Sequence, residues 1–276
     1  MPELPEVEFA RRSLQRWLRG TEVIAAEADR TRLLRGTRPA RFSSLHGRLE
    51  RAERKGKYLL LSFQDNQGVL AHLGMTGKFV RREAGVDEPY SRARLLLDDG
   101  WVIHLRDPRM FGRLEPAPAD TLWRLPVIQA LGVDPLVDGL TARTLEAAVG
   151  ASRQPLKVAL LDQSRVAGLG NIHAAEALYR ARLHPSRAPA SLSPAEWRRL
   201  TTAIHASLRF AFEQEEGEEI EYVEEPGAPN PFLVYGHAGQ PCRRCRTEVQ
   251  SFVQGGRTTH FCPGCQPPEP GKKPLR

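Results

Sequence analysis

Four side chains in this sequence have the spacing of metal ligands. Cys242-x-x-Cys245 is followed, 16 residues later, by Cys262-x-x-Cys265, and the chain has no other cysteine. This is the spacing of a four-thiolate zinc site, which is structural because no coordination position is left for substrate. The alternative, two disulfides, fits poorly with a chain whose amino terminus shows no signal-peptide pattern. Between the two pairs, Phe252 to Phe261 is expected to form a β-hairpin with Gly255-Gly256 at its tip, presenting Arg257. On a metal-braced finger in a basic protein, that arginine points to phosphate contact; taken alone, it is an ordinary exposed arginine.

The amino terminus holds a second candidate. Met1 precedes Pro2, a residue small enough for the initiator Met to be removed, which would free a secondary amine. Such an amine titrates at roughly 7.7–8, so much of it is neutral at physiological pH. Attack of this amine on a sugar C1′ gives an iminium, an electron sink able to displace a base and then assist strand cleavage. Glu3 is placed beside it as an acid or base. The plain alternative is that MPELPEVE is only the lead into a helix.

Lys57, in RKGKYLLL, immediately precedes a strand and would project from its edge, where most lysines are solvated. Only six of the 40 basic residues are Lys, so each Lys is more informative than usual. The stretches AHLGMTGKF and RDPRMFGRL place Met75 and Phe111 in Gly-flanked turns. Singly these read as core residues; together with Arg109 they have the makings of a wedge for a DNA duplex. VAGLGNIHAAEAL is a Gly-rich turn leading into a helix whose free N–H groups could hold a phosphate, a weak signal by itself.

These candidates need a scaffold, and 276 residues with 41% hydrophobic content suggest two domains with real cores. The apolar run Tyr58 to Leu61 is four residues long, far short of the roughly 20 that a membrane span needs. The expected location is the cytoplasm. Net charge is +7, yet eight glutamates and no basic residue lie between Glu213 and Glu225. The rest of the chain sets 40 basic residues against 25 acidic ones, a net +15 that favours a polyanionic partner, nucleic acid first.

Helical spacing of Val7, Ala10, Leu14 and Trp17, with Pro5 at the first helical position, predicts a leading helix that stops at Gly20. Short apolar runs from there to about Leu114 predict a β-sandwich or barrel. Glu115 to Asp120, with two prolines, reads as a linker. Helical patterns follow over Leu122–Leu131, Thr141–Val149, Pro155–Leu161, Ile172–Arg182 and Pro194–Phe212. The last is opened by Ser193 and Glu196 as a capping box.

PELPEVE, RKGKYLLL, HLGMTG, DPRMFG, AGLGNI, VYG and the ending Gly-Arg-x-x-His-Phe-Cys-x-x-Cys occur in this order. The series resembles the bacterial formamidopyrimidine-DNA glycosylases, which excise oxidised purines and cleave the resulting abasic site. PELPE rather than PEGPE favours this branch over the endonuclease VIII branch. The resemblance implies an α+β protein with residues 1–115 as a β-sandwich led by a helix. Residues 121–235 would form a helix–two-turn–helix domain with the acidic loop 213–225, and 236–276 a zinc finger with its tail. It implies Pro2 as Schiff-base nucleophile and Glu3 as general acid and base. Lys57 would bind phosphate and serve β-elimination, and Arg257 δ-elimination. Met75, Arg109 and Phe111 would occupy the gap left by the flipped nucleotide. Asn171 and Tyr235 match phosphate-contacting positions, while Tyr90, Arg92 and Arg153 fall in DNA-binding regions. The implied partner is double-stranded DNA carrying oxidised bases or abasic sites, bound by a monomer with one structural Zn2+ per chain and no membrane contact.

The sequence departs from that pattern in one long stretch. Where the family has Gly-Gly-Ser/Thr-Ser/Thr-hydrophobic-Arg in the loop covering the flipped base, this chain has EQEEGEEIEYVEEPG. Met110 replaces a basic residue, and His173 a common Tyr. Shifted lesion range, a non-catalytic DNA-damage-binding protein and a zinc-finger regulator are the rival readings. Retention of Pro2, Glu3, Lys57 and Arg257 together argues for catalysis.

Overall fold

The leading helix buries the stripe that its spacing predicts. The computed structural model of the chain describes residues 2–28, 33–34, 39–214, 217–225 and 227–268; Glu215, Glu216 and Pro226 of the acidic region lie outside them. Helix α1 (Leu4–Trp17) puts Val7, Ala10, Leu14 and Trp17 into the core and ends three residues before Gly20. Burying each of the larger side chains contributes roughly 1.5–3 kcal/mol.

The strands that follow are β1 (Glu22–Ala28), β2 (Gly47–Lys55), β3 (Tyr58–Phe63), β4 (Gln67–His72), β5 (Lys78–Glu83), β6 (Ser91–Leu97), β7 (Trp101–Arg106) and β8 (Arg113–Pro118), with a short helix α2 (Pro39–Ser43) after β1. All pair antiparallel in the order β5-β7-β6-β1-β2-β3-β4-β8. The β1–β2 junction holds only two residue pairs, Glu22 with Arg48 and Val23 with Gly47. The sheet therefore divides there into two four-stranded halves. Leu61, Phe63 and Val69 from one half share a core with Leu95, Ile103 and Leu105 from the other, with Val7 and Leu14 of α1 packed in. This is the sandwich arrangement. β3 and β4 are buried along most of their length, which is why YLLLSF reads as an apolar run rather than an alternation.

The expected linker at Glu115–Asp120 is instead mostly strand. β8 pairs with β4 through Val69 opposite Pro116 and Gln67 opposite Pro118, and a 3-10 turn (Ala119–Arg124) follows. The prolines fit because β8 is the last strand in the order and needs to bond on one side only. The single helix expected over Leu122–Leu131 is also broken. Pro126 divides it into that 3-10 turn and a four-residue helix α3 (Pro126–Gln129), since proline cannot donate to the preceding turn.

Beyond it lie a π-type turn (Pro135–Gly139) capped by Asp134, then α4 (Ala142–Val149), α5 (Leu156–Leu161), α6 (Asn171–Ala181), α7 (Pro194–Gln214), β9 (Gln250–Gln254) and β10 (Arg257–Phe261). Thr141 caps α4, and Ser193 and Glu196 close the expected box on α7. The chain forms two compact units: Met1–Ala130 with Glu215–Tyr222, and Leu131–Gln214 with Val223–Arg276. Part of the acidic stretch thus packs with the sandwich. Among the described residues no helix is long and apolar enough to cross a membrane.

Candidate active site

Pro2 and Glu3 are held at the amino terminus of α1, both buried. Glu3 is the N-cap, in a capping box with Glu6, whose carboxylate accepts the Glu3 N–H at 2.7 Å. The pair is an unforeseen feature. Part of the Glu6 side chain is exposed, but its carboxyl is enclosed. Burial first, then the neighbouring Glu3 charge, pushes its pKa from an ordinary 4.5 up to about 7. A carboxyl that keeps its proton near neutrality can donate one beside Glu3. In the sequence, the spacing Glu3-x-x-Glu6 is the signal that marks the pair.

The raised Glu6 value has a checkable consequence for stability. The folded state holds this proton up to about pH 7, whereas the unfolded chain releases it near 4.5, so the stability it contributes is complete at low pH and is lost as pH rises through 7. Glu6→Gln keeps an oxygen for the Glu3 N–H but cannot ionise. Melting temperatures measured from pH 5 to 8 should show the variant gaining on the wild type as pH rises; parallel curves would remove the buried-proton assignment.

Lys57 follows Gly56 in the β2–β3 turn and is only 6% exposed, so it is not the solvated edge lysine of the plain reading. Its charge, after burial and together with Arg113, holds the His72 imidazole down at about 4. The neutral His72 accepts the Gly74 N–H on Nδ1 at 3.0 Å, which orients the next turn. Buried Arg54 ties this region to α1. It donates to Glu8 at 3.2 Å and to the Gly56 carbonyl at 3.0 Å. The other lysines tell the same story: Lys57, Lys78 and Lys157 are all buried, and Lys55 alone of the described four is not.

Met75, Tyr90, Arg92, Arg109 and Phe111 come together on one end of the sandwich. Met75 sits in the turn between β4 and β5, partly buried. Phe111 is 51% exposed and Tyr90 54%, which excludes the core reading for Phe111. The Arg109 guanidinium lies 5.0 Å from the Phe111 ring, and Arg92 lies 5.9 Å from the Tyr90 ring. The two loops touch so closely that a Cβ on Gly74 would come within 2.3 Å of the Phe111 backbone, and Gly74 has φ +68°.

The described part of the acidic segment is fastened to β5. Tyr222 donates its hydroxyl to the Gly77 carbonyl at 2.6 Å, Lys78 donates to the Ile220 carbonyl at 3.2 Å, and Glu219 pairs with Arg82. Ile220 and Tyr222 are buried, while Glu218 and Glu221 are exposed. Gly77 in turn donates to Leu73, closing the turn that carries Met75.

In the second unit, fully buried Lys157 of α5 donates to Asn171 Oδ1 at 2.6 Å, Thr259 Oγ1 at 2.8 Å and the Thr258 carbonyl at 3.2 Å. Asn171 donates from Nδ2 to the same Thr258 carbonyl at 2.9 Å. The start of α6 is thereby bonded to the strand that begins at Arg257. Exposed Arg257 borders a pocket of about 360 Å³ with Ser152, Gln154, Asp162 and Arg165; Arg153 is exposed in the same loop. Tyr235 is held through its backbone. Buried Glu176 accepts the N–H groups of Leu233, Val234 and Tyr235, and the Tyr235 hydroxyl reaches Glu224 at 3.3 Å. Sequence reasoning missed Lys157 and Glu176. The scarcity of lysine was a signal for the first, and nothing marked the second.

The four cysteines converge. Their Sγ atoms all lie within 4.8 Å of one another, with Cys242 to Cys265 at 3.9 Å and Cys245 to Cys262 at 3.4 Å. Tetrahedral thiolates about 2.3 Å from zinc are about 3.8 Å apart, so the set fits one structural zinc per chain. Tyr179 lies 3.2 Å from Cys242 Sγ, and the Arg244 and Cys265 N–H groups donate to Cys242 and Cys262. The hairpin tip packs on α5, where a Cβ on Gly255 would touch Val158.

Comparison with known proteins bears directly on this arrangement. Residues 1–114 match the profile of the formamidopyrimidine-DNA glycosylase N-terminal domain, 131–221 that of its H2TH domain, and 239–268 that of the zinc finger found in FPG and IleRS. The formamidopyrimidine-DNA glycosylase of Pelotomaculum thermopropionicum is 36% identical over 274 residues, covering 96% of this chain and 99% of its own. The crystal structure of MutM (FPG) from Thermus thermophilus superposes with a TM-score of 0.81 at 36% identity, covering 98% of this chain and all of that one. The Lactococcus lactis FPG (MutM) in complex with a Fapy-dG containing DNA superposes at 0.86 with 29% identity, over 96% and 100% of the chains. Matched across sandwich, helical domain and zinc finger, this chain belongs to the formamidopyrimidine-DNA glycosylase family.

Proposed function

We propose that this protein is a DNA glycosylase and abasic-site lyase of base excision repair, acting as a monomer on duplex DNA that carries oxidised purines. One observation carries the reading. A buried Glu3 at the start of α1 and exposed Arg109 and Phe111 beside the Met75 turn belong to the same unit. Sugar chemistry and a wedge for the duplex thus share one scaffold. Family membership supports the glycosylase class, and the Fapy-dG containing DNA held by the Lactococcus lactis relative supports the substrate class.

A base inside a duplex is out of reach, so its nucleotide is extruded at a cost of a few kcal/mol. Phe111 wedges the neighbouring stack, Met75 fills the gap, and Arg109 turns its planar donors to the orphaned cytosine. With Met1 removed, the Pro2 nitrogen attacks C1′, and the electron pair of the C1′–N bond leaves with the base, which takes up a proton. Glu3 gives and takes protons at the sugar. Loss of the Pro2 N–H proton and protonation of O4′ by Glu3 break the C1′–O4′ bond, which opens the sugar and leaves an iminium. This acidifies C2′; loss of that proton expels the 3′ phosphate, and a second elimination expels the 5′ phosphate. Lys57 holds phosphate and serves the first elimination, and Arg257 serves the second. Tyr90, Arg92, Arg153, Asn171 and Tyr235 grip the backbone.

A panel of duplexes carrying 8-oxoguanine, ring-opened guanine, an oxidised pyrimidine or an abasic site tests this reading, with base release and strand nicking scored separately. Binding without base release or nicking would make the protein a damage-binding module instead. The docked acidic segment favours a variant of the same chemistry with a shifted lesion range, because ionised carboxylates accept hydrogen bonds but cannot donate them. Weaker discrimination between 8-oxoguanine and ring-opened purines than in relatives is the expected pattern. Glu218→Gln with Glu221→Gln should tighten DNA binding and steepen its fall with salt, since fewer carboxylates then oppose the basic surface. Identical affinity and lesion ranking across a salt series would place the segment away from DNA.

A further inference from the structure

Asp107 is fully buried in the first unit, and its peptide and carboxylate reach Tyr90, Arg92 and both loops that carry Met75, Arg109 and Phe111. Its Oδ1 accepts the Thr76 hydroxyl at 3.0 Å, next to Met75. Its Oδ2 accepts the Gly112 N–H at 2.7 Å, next to Phe111. Its N–H donates to the Tyr90 carbonyl at 3.0 Å, and its carbonyl accepts from Arg92 Nε at 3.1 Å. The same carbonyl accepts the Met110 N–H at 3.3 Å, closing the turn that carries Arg109, with Met110 at φ +53°.

From this arrangement we propose that Asp107, through Thr76, is a positioning residue that makes the Met75 turn and the Arg109–Phe111 loop one rigid wedge. Void filling and reading of the opposite base then occur as a single event. The physics favours one body over two. A buried carboxylate with two donors gains charge-assisted bonds from both, and losing either leaves an acceptor desolvated and unpaired. The glycine contact between the loops removes the room in which they could slide past one another. Asp107 lies below the wedge and touches no base itself. Its effect passes through the two loops.

This inference rests on the glycosylase reading, and the test separates the two. Thr76→Val keeps the size of the side chain and deletes one donor, Thr76→Ser restores that donor, and Asp107→Asn cannot accept from both partners at once. Each is assayed on duplexes with the lesion opposite cytosine and opposite adenine, and on a preformed abasic site, which has no base to extrude. Thr76→Val and Asp107→Asn should lower the cytosine-to-adenine ratio of kcat/KM by about tenfold, and Thr76→Ser should keep it. In the wild type, Met75→Ala and Phe111→Ala should be strongly non-additive, and in the Thr76→Val background they should act independently. Nicking of the abasic site should change far less than the ratio. A wild type that nicks no abasic site overturns the glycosylase–lyase reading itself. A wild type that nicks normally, with the ratio and the non-additivity unchanged in both variants, overturns the role of Asp107. If Thr76→Val does not fold, Asp107→Asn decides the question.

Discussion

Sodium borohydride is expected to fix this protein covalently to abasic-site duplex DNA, and protein that retains Met1 should be trapped roughly a hundredfold less or worse. The reason lies in the nitrogen. In processed protein Pro2 carries a free secondary amine, whose adduct with C1′ is an iminium that is cationic without a proton and is reduced by borohydride. With Met1 in place the same nitrogen is an amide, and its lone pair is delocalised into the carbonyl. Pro2→Gly should fall between the two, because its primary amine forms an imine that must first be protonated. The position is well prepared, since Pro2 and Glu3 are buried at the capped end of a helix whose far face is core. Equal trapping of Met1-retaining and processed protein would shift the nucleophile to another amine, with buried Lys57 next in line.

Removal of zinc should be the second large effect. In four-thiolate sites the free energy of metal binding, roughly 10–16 kcal/mol, is also folding free energy. Cys262→Ala should therefore unfold β9 and β10. With them go the Thr258 and Thr259 partners of Lys157 and Asn171 and the placement of Arg257. Loss of measurable DNA binding is expected, with the β-sandwich still folded, because its core contains nothing from the finger. Elemental analysis should give one zinc per chain in the wild type. Less than half an equivalent, or full DNA binding by Cys262→Ala, would refute a zinc-dependent finger.

Much of the site was legible because its signals are local. The convergence of the four cysteines, the helix start at PELPE and the Ser193–Glu196 box each depend on short spacings, and each formed as expected. The misreading of Glu115–Asp120 has a different cause. Pro116 and Pro118 suggested a linker because the sequence does not say which strand will be outermost, and an outermost strand tolerates proline. For Lys57, the plain alternative of a solvated strand-edge lysine is what the surrounding sequence cannot exclude; the side chain is in fact 6% exposed.

By itself, the sequence determined the metal site, the family and the identity of the groups that could do chemistry, since motif order and short spacings are one-dimensional facts. It also revealed the acidic departure. Only the tertiary structure decided that this segment is fastened to β5 through Tyr222, Lys78 and the Arg82–Glu219 pair. Only it could show that Glu6 keeps its proton near neutrality and that Asp107 joins two loops separated by some 30 residues. Burial and pairing are properties of what lies alongside a residue in space. For Asp107 and the acidic segment, the residues alongside come from distant parts of the chain, and no local pattern records that.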